Sequence, residues 1–393
     1  EQFTQTEMSE PAREEVRVLL ADAYERVVAD LASDLRTSPE RVIALMDDGP
    51  QLASQLLREK VVTAAVDEAD LRANATGWLD DRPLTSELAP RVRTDYGAGP
   101  RVGVVVIDGA IVDGDSVDIP FFGVHMTGGR TAVRAIDAMA ADPLVRAIVL
   151  RVDSPGGAVL ASDQIWRAVR RARAHKPVIA SMGAMAASGG YYVASAADEI
   201  WADPTTLTGS IGIFYGKFDV EALADKLGVR VETFKRGRRA GAESLFRPFT
   251  AEERAALVER LRAYYQLFLE RVAEGRRKSV EDVDRVARGR VYSGDAAQRI
   301  GLVDRLGGFG SALARARAIG RVPDSGEVMI VPERKDGLLD FVLGGARAEA
   351  LAGSPAELLP SGVRQAIGRI IAMEQLGATT PLAMLPYEID FDL

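Results

Sequence analysis

SMGAMAASGGYYVASAADEIWADPTTLTGSIGIF, residues 181–214, decides how this chain folds. The apolar stretch PVIASMG (177–183) reads as a buried strand that ends near Met182. Small residues follow, and the spacing predicts a short helix over 186–196, so the segment is a strand, a tight turn and a helix. Ala186, Ala187, Gly189 and Gly190 carry little or no side chain, which lets a second backbone approach closely. Ser188 stands in their midst at the expected helix start, where free N–H groups and the helix dipole favour negative charge. EIWAD (199–203) is then the next strand.

Working outward, the same alternation continues on both sides. RVGVVVIDGAIV (101–112) is a β-branched run and reads as a strand, 130–141 as a helix, VRAIVLRV (145–152) as a buried strand and 159–174 as a helix. Beyond the quoted stretch the pattern predicts a helix at 218–227, a strand at VRVETFKR (229–236), a long amphipathic helix at 250–274 and shorter helices to about 320. Strands alternating with helices imply βα units on a mostly parallel sheet, hence the α/β class. Asp153-Ser154-Pro155-Gly156-Gly157 is a glycine-rich turn placed directly after a buried strand. If its strand neighbours that of 177–183 in parallel, both turns reach the carboxyl edge of the sheet, where such folds bind ligands. Either turn alone is an ordinary βα connection. The pair, with Gly156 and Ser188 32 positions apart, is far more specific. A serine that attacks a carbonyl needs donors for the oxyanion; the Gly189 N–H is one candidate, and the DSPGG turn supplies the other.

The amino-terminal part differs. Residues 8–46 read as helical, with Val16, Leu19, Leu20, Ala23, Val27 and Leu31 at helical spacing and Pro11 in the first turn. Residues 79–100 carry turn residues and charge and read as a linker. The expected organisation is a helical segment at 1–80, a linker at 81–100, a core domain at 101–320 and a tail at 321–393 with no clear signal. An internal repeat links the first segment to the core: Tyr24 matches Tyr265, 241 positions on, and Ser38, Glu40, Val42, Arg58 and Val62 match Ser279, Glu281, Val283, Arg299 and Val303 at the same offset. The helical segment is therefore expected to be the end of a first unit.

Composition removes several function classes. The chain has 393 residues, 47% of them hydrophobic and 27% charged, with net charge −8 and no basic block, so nucleic-acid binding has no support. There is no cysteine, which excludes thiolate chemistry, and two histidines without a metal-binding spacing leave no expectation of a metal or other cofactor. No apolar stretch reaches the ~18–20 residues that span a bilayer. No signal-peptide pattern is visible, and the sequence begins at Glu1 rather than Met, so an upstream anchor is expected.

RVDSPGG (151–157), SMGAMAASGGYYVA (181–194), TLTGSIGIF (206–214) and GRVYSGDAAQRIGLVDRLGG (289–308) together resemble the S49 peptidases, the signal peptide peptidase A type. The resemblance implies a ClpP/crotonase-like fold at 101–320 and the remnant of a preceding repeat at 1–80. It implies Ser188 as nucleophile, Gly156 and Gly189 as oxyanion donors, and Ser210 as a hydroxyl that holds the base. It also implies peptide substrates such as signal-peptide remnants, a homo-oligomer (a tetramer or larger ring), and a catalytic domain on the extracytoplasmic side of the cell membrane, attached through a segment outside this sequence.

The base is the open position, since a serine must lose its proton as it attacks. His125 lies in a Gly- and Phe-rich loop and His175 at a helix end, and no histidine follows Ser188. The family resemblance implies a Ser–Lys dyad, in which burial and nearby positive charge lower the lysine pKa. In single-unit members the lysine follows the serine, at a position that falls here on Ala240; Lys235 is the nearby alternative. In duplicated members it lies in the first unit, which the repeat offset places immediately upstream of Glu1. On that reading this chain by itself is inactive or very weak. The rival readings are a crotonase-type acyl-CoA enzyme, which needs no serine at 188, and a non-catalytic peptide-binding scaffold.

Overall fold

The computed structural model describes residues 10–48, 52–66, 99–119, 124–331 and 382–384. The chain divides into two compact units, residues 1–86 with 216–262, and residues 87–215 with 263–393. The second unit carries thirteen strands among the described residues: β1 (Arg101–Asp108), β2 (Ala110–Val112), β3 (Val117–Ile119), β4 (Val124–Gly128), β5 (Val145–Ser154), β6 (Gly156–Ala158), β7 (Val178–Ala187), β8 (Glu199–Ala202), β9 (Leu207–Gly209), β10 (Val291–Ser293), β11 (Arg305–Leu306), β12 (Val328–Val331) and β13 (Leu382–Met384). They form two sheets. The larger runs β10-β9-β7-β5-β1-β12, with β8 paired to β7 and β11; the smaller runs β13-β6-β2-β4-β3. In the larger sheet only β10 on β9 is antiparallel, so the α/β class with a mostly parallel sheet and flanking helices is present as expected.

The period of two along these strands explains the layers. Ile148 and Leu150 of β5 point to one face, packed with the helices Gly129–Ala141 and Val159–Arg173; Ala147 and Val149 point to the other, packed with Ala312 and Ala316 of the helix Phe309–Gly320. Both faces are covered, so β1 and β5 read as almost continuous apolar runs rather than as alternating ones.

Several local expectations change. The helix expected at 8–46 is two helices, Glu10–Asp34 and Pro39–Asp47, because Arg36 takes a left-handed conformation (φ 51°) and Ser38 caps the second helix by accepting from Arg41 N–H. The strand expected at 229–236 does not form. Val229 and Val231 are 51% and 45% exposed, and no edge among the described residues pairs with them, so an alternating pattern alone does not make a strand. The strand expected to end near 183 continues to Ala187, because Met185, Ala186 and Ala187 pair with β9; the following helix is correspondingly short, Gly189–Ala194. The tail contributes β12, which pairs in parallel with β1. The expected linker at 81–100 lies outside the described residues except for Gly99 and Pro100.

The repeat offset reappears in the backbone. Arg36 and Arg277 are both left-handed, at φ 51° and 54°, and each is followed by a serine-capped helix, Pro39–Asp47 after Ser38 and Val280–Val286 after Ser279. The helix Ala53–Arg58 likewise corresponds to Gly294–Arg299, and Val42 and Val283 are both buried.

In the first unit, Glu253 fixes the start of the long helix Ala251–Arg276. Its carboxylate accepts from Thr250 N–H at 2.9 Å while its own N–H donates to Thr250 Oγ1, a capping box. Arg247 grips the same carboxylate at 2.6 and 2.8 Å. The Arg247 hydrogen bond is the main reason the buried Glu253 carboxyl is pushed down to about 2. A depressed carboxylate contributes its stability above its unfolded pKa and loses it as pH falls through the folded value. Acid denaturation of the wild type is therefore expected to exceed that of Glu253→Gln by on the order of 2 kcal/mol between about pH 4.5 and pH 2, with parallel curves at neutral pH. Equal acid limbs for the two proteins would contradict the assignment.

Candidate active site

β5 and β7 are parallel neighbours in register from Ile148↔Val178 to Val152↔Met182, and Ser154 pairs with Ala186 after a local irregularity. Their carboxyl ends therefore deliver the Ser154–Gly157 turn and Ser188 to the same edge of the sheet. The approach is close: a Cβ on Gly190 would lie 2.7 Å from the Ser154 carbonyl oxygen, and one on Gly157 would lie 1.9 Å from that of Ile111. Only glycine fits at either position, so the small-residue runs keep two backbones in contact.

Ser188 has φ 52° and ψ −114°, a conformation an L-residue holds at a cost of about 1–3 kcal/mol. The surroundings enforce it. Ser188 N–H donates to Gly209 carbonyl at 2.8 Å, and Tyr192 N–H donates to the Ser188 carbonyl at 2.7 Å. The residue is fully buried, and its Oγ has no hydrogen-bond partner among the described residues, nor does it cap the helix it heads. A buried hydroxyl without a partner costs about 1–3 kcal/mol, so backbone strain and an orphaned hydroxyl coincide at one residue. Such a sharp strand-to-helix turn is how a serine is held out for attack.

Gly189 opens the helix, where the first amides have no intrahelical acceptor. Gly156, at φ 104°, donates its N–H to Ser154 Oγ at 3.1 Å. Of the two expected oxyanion donors, one is thus held by a neighbouring hydroxyl. Ser210 is buried with φ 49°; its N–H donates to Arg290 carbonyl, and it directly follows Gly209, whose carbonyl receives Ser188 N–H. Ser188 and Ser210 are therefore tied together through Gly209, and Gly156 is held at the same edge by Ser154, which pairs with Ala186. Lys235 is an exposed residue of the first unit, beside Leu20, Tyr24 and Phe234. His125 sits on β4, 3.9 Å from Asp118. His175 precedes β7 while Ser188 follows it, so the ten residues of β7 separate the two by roughly 30 Å.

Sequence reasoning missed the groups that brace this edge. Asp153 accepts from Met185 N–H at 3.0 Å, and Thr208 Oγ1 donates to Ala186 carbonyl at 2.7 Å. Behind the serine, Tyr191 hydroxyl donates to Leu302 carbonyl, and Tyr192 hydroxyl donates to Asp163, which also accepts from Arg271 at 2.9 Å. Burial pushes both tyrosine hydroxyls well above their ordinary range, so they stay protonated donors. Asp153 was visible in the DSPGG run. Asp163 and Arg271 lie 108 positions apart, with no local pattern to connect them.

The model of peptidase family S49 matches residues 170–322. Protease 4 of Salmonella typhi is 31% identical over 379 residues, covering 93% of this chain and 59% of that protein. The chloroplastic serine protease SPPA of Arabidopsis thaliana is 42% identical over 189 residues, 47% of this chain and 28% of that protein. The chain therefore spans well under two thirds of these two relatives. A putative protease of Synechocystis is 32% identical over 231 residues, 58% of this chain and 83% of that protein. With the glycine turns, the strained serine and this coverage together, the chain belongs to peptidase family S49.

Proposed function

We propose that Ser188 is the nucleophile of a serine peptidase of the Ser–Lys type, whose lysine lies in the preceding unit, upstream of Glu1. The observation that carries this reading is the buried Ser188 Oγ, without a hydrogen-bond partner among the described residues, on a backbone held at positive φ. The lysine in its neutral form takes the hydroxyl proton as Oγ attacks the peptide carbonyl. The N–H groups of Gly189 and Gly156 then receive the oxyanion, the latter once it leaves Ser154 Oγ. Collapse of the tetrahedral species returns the proton to the departing amine and leaves an acyl-Ser188 ester, which water hydrolyses with the same lysine as base. Ser210 fits a hydroxyl that orients the lysine. Both histidines are poorly placed for the base, and Lys235 is an exposed residue of the first unit. The repeated backbone pattern supports a preceding unit of the same kind.

The substrates on this reading are signal-peptide remnants or other short apolar peptides, cleaved on the extracytoplasmic side of the cell membrane by a homo-oligomer. Exposed apolar residues of the first unit, such as Phe218 at 66% and Leu227 at 70%, suit burial between copies. No helix among the described residues is long and apolar enough to cross a membrane, so attachment would use another segment.

The test compares peptide hydrolysis by residues 1–393 with that of a longer chain containing the upstream unit. Only the longer chain is expected to cleave, and replacing the lysine just ahead of Glu1 should abolish its activity. Ser188-dependent cleavage by residues 1–393 alone would refute an upstream base.

A further inference from the structure

β5 and β7 do not keep one register to their ends. From Ile148↔Val178 to Val152↔Met182 the partners stand 30 positions apart, and at Ser154↔Ala186 they stand 32 apart. β7 therefore carries two more residues than β5 between these pairs, a bulge at Gly183–Met185. Across the same residues β7 changes partner on its other side, from β8 at Ile179–Ser181 to β9 at Met185–Ala187. The offset of 32 is also the spacing of Gly156 and Ser188. Carried two residues on, the bulged register sets Ser188 level with the candidate oxyanion donor. The unbulged offset of 30 would set Ser188 level with Ala158 instead, about 7 Å further along.

We infer that Asp153 is a positioning residue for this reaction: its carboxylate holds the bulge, and the bulge fixes the level at which Ser188 meets Gly156. This inference rests on the peptidase reading of Ser188. Three observations carry it. Amides that leave a ladder need another acceptor, and Asp153 receives two, Oδ1 accepting from Met185 N–H at 3.0 Å and Oδ2 from Ala184 N–H at 3.4 Å. Room is kept for that carboxylate. A Cβ on Gly183 would lie 2.7 Å from Asp153 Cβ and closer still to the carboxylate itself, so a side chain at 183 would push Asp153 away. The carbonyls of the bulged stretch are held as well: the buried Thr206 and Thr208 donate from Oγ1 to the Gly183 and Ala186 carbonyls at 2.8 and 2.7 Å. Carbonyls thus go to hydroxyls and amides to a carboxylate, which is what each group needs. Asp153 also directly precedes Ser154, whose Oγ accepts from Gly156 N–H. It therefore stands at the root of the turn that carries Gly156 while gripping the strand that delivers Ser188, three positions beyond Met185. Asp153 acts through these two backbones, not on the substrate.

The test compares Asp153→Ala and Asp153→Asn with the wild type, in the chain carrying its upstream unit for kinetics and in residues 1–393 for hydrogen exchange. Per cooperatively folded molecule, Asp153→Ala is expected to lower kcat at least ~10-fold with KM within about twofold, because a displaced Ser188 weakens the transition state and not substrate binding. Asp153→Asn keeps an acceptor for Met185 N–H and should fall between the two, at roughly two- to fivefold below the wild type. A residue that served stability alone would lower the melting temperature and leave kcat of the folded enzyme unchanged. The Met185 amide should exchange at least ~10-fold faster in the alanine variant than in the wild type, which is a readout that needs no hydrolysis. Wild-type kcat in folded Asp153→Ala would overturn the inference, as would unchanged exchange at Met185. Should the alanine variant fail to fold, wild-type kcat in Asp153→Asn overturns it equally. A longer wild-type chain that never cleaves, with exchange at Met185 following Asp153 as expected, would leave the clamp standing and remove the peptidase reading instead.

Discussion

Ser188→Ala, introduced into the chain together with its upstream unit, is expected to reduce peptide hydrolysis by at least ~10³-fold while leaving the fold intact. The loss is large because the other groups at this edge stabilise charge or hold the backbone, and none can form the acyl bond. Peptide affinity should change little, since the alanine variant keeps both glycine turns. The stability effect has a definite sign. Ser188 holds φ 52° and its Oγ lacks a partner among the described residues, so removing the hydroxyl removes an unsatisfied buried group. Ser188→Gly also removes the conformational cost and should be more stable than the alanine variant by about 1 kcal/mol. Denaturation curves and a hydrolysis assay on the three proteins check both halves. Hydrolysis that survives in Ser188→Ala would remove the serine from the chemistry and favour an acyl-CoA enzyme, which needs no hydroxyl there. If the glycine variant proved less stable than the alanine one, the strained backbone would not be the solution conformation.

Gly190→Ala should act on the same site without touching a reacting atom. The added methyl would sit 2.7 Å from the Ser154 carbonyl oxygen, closer than carbon and oxygen approach without bonding. That oxygen belongs to a buried strand end and cannot swing aside, so the helix behind Ser188 must retreat from the Ser154–Gly157 turn. Overpacking of this kind costs about 1–3 kcal/mol. The kinetic effect is larger, because Ser188 and the Ser154–Gly157 turn, the nucleophile and oxyanion donor of the proposed mechanism, sit on the two backbones being pushed apart, and misplacement by ~1 Å costs about 10²-fold. The expected signature is a fall in kcat of about 10²-fold with a small change in KM, in a protein that still unfolds cooperatively. A variant with wild-type kcat would show that the two turns are not in contact during the reaction.

These two expectations differ in how much of them the sequence holds. Ser188 was legible because its neighbours leave few options: a buried strand, a run of residues without side chains, and a second glycine turn 32 positions upstream describe two backbones meeting at a sheet edge. The α/β class follows from the same local signals, since β1, β5 and β7 are apolar on both faces and the helices between them are amphipathic. Ser38 and Ser279 are similarly local, because a cap is formed within four residues.

What the chain does between distant residues was decided only in the folded protein. VRVETFKR alternates as a strand should, yet it forms no strand among the described residues, because a strand exists only where an edge receives its N–H and C=O groups. Leu382–Met384 gives no signal at all and is a strand, because β6 provides that edge. The positive φ of Ser188, the capture of Gly156 N–H by Ser154 and the Tyr192–Asp163–Arg271 network likewise depend on partners brought together by the sheet. The sequence by itself determined the elements and the residue types gathered at the edge, through side-chain periodicity and steric permission. Only the tertiary structure decided which backbone groups pair there, because hydrogen bonds are satisfied by whatever lies within about 3 Å, however far away it stands in the chain.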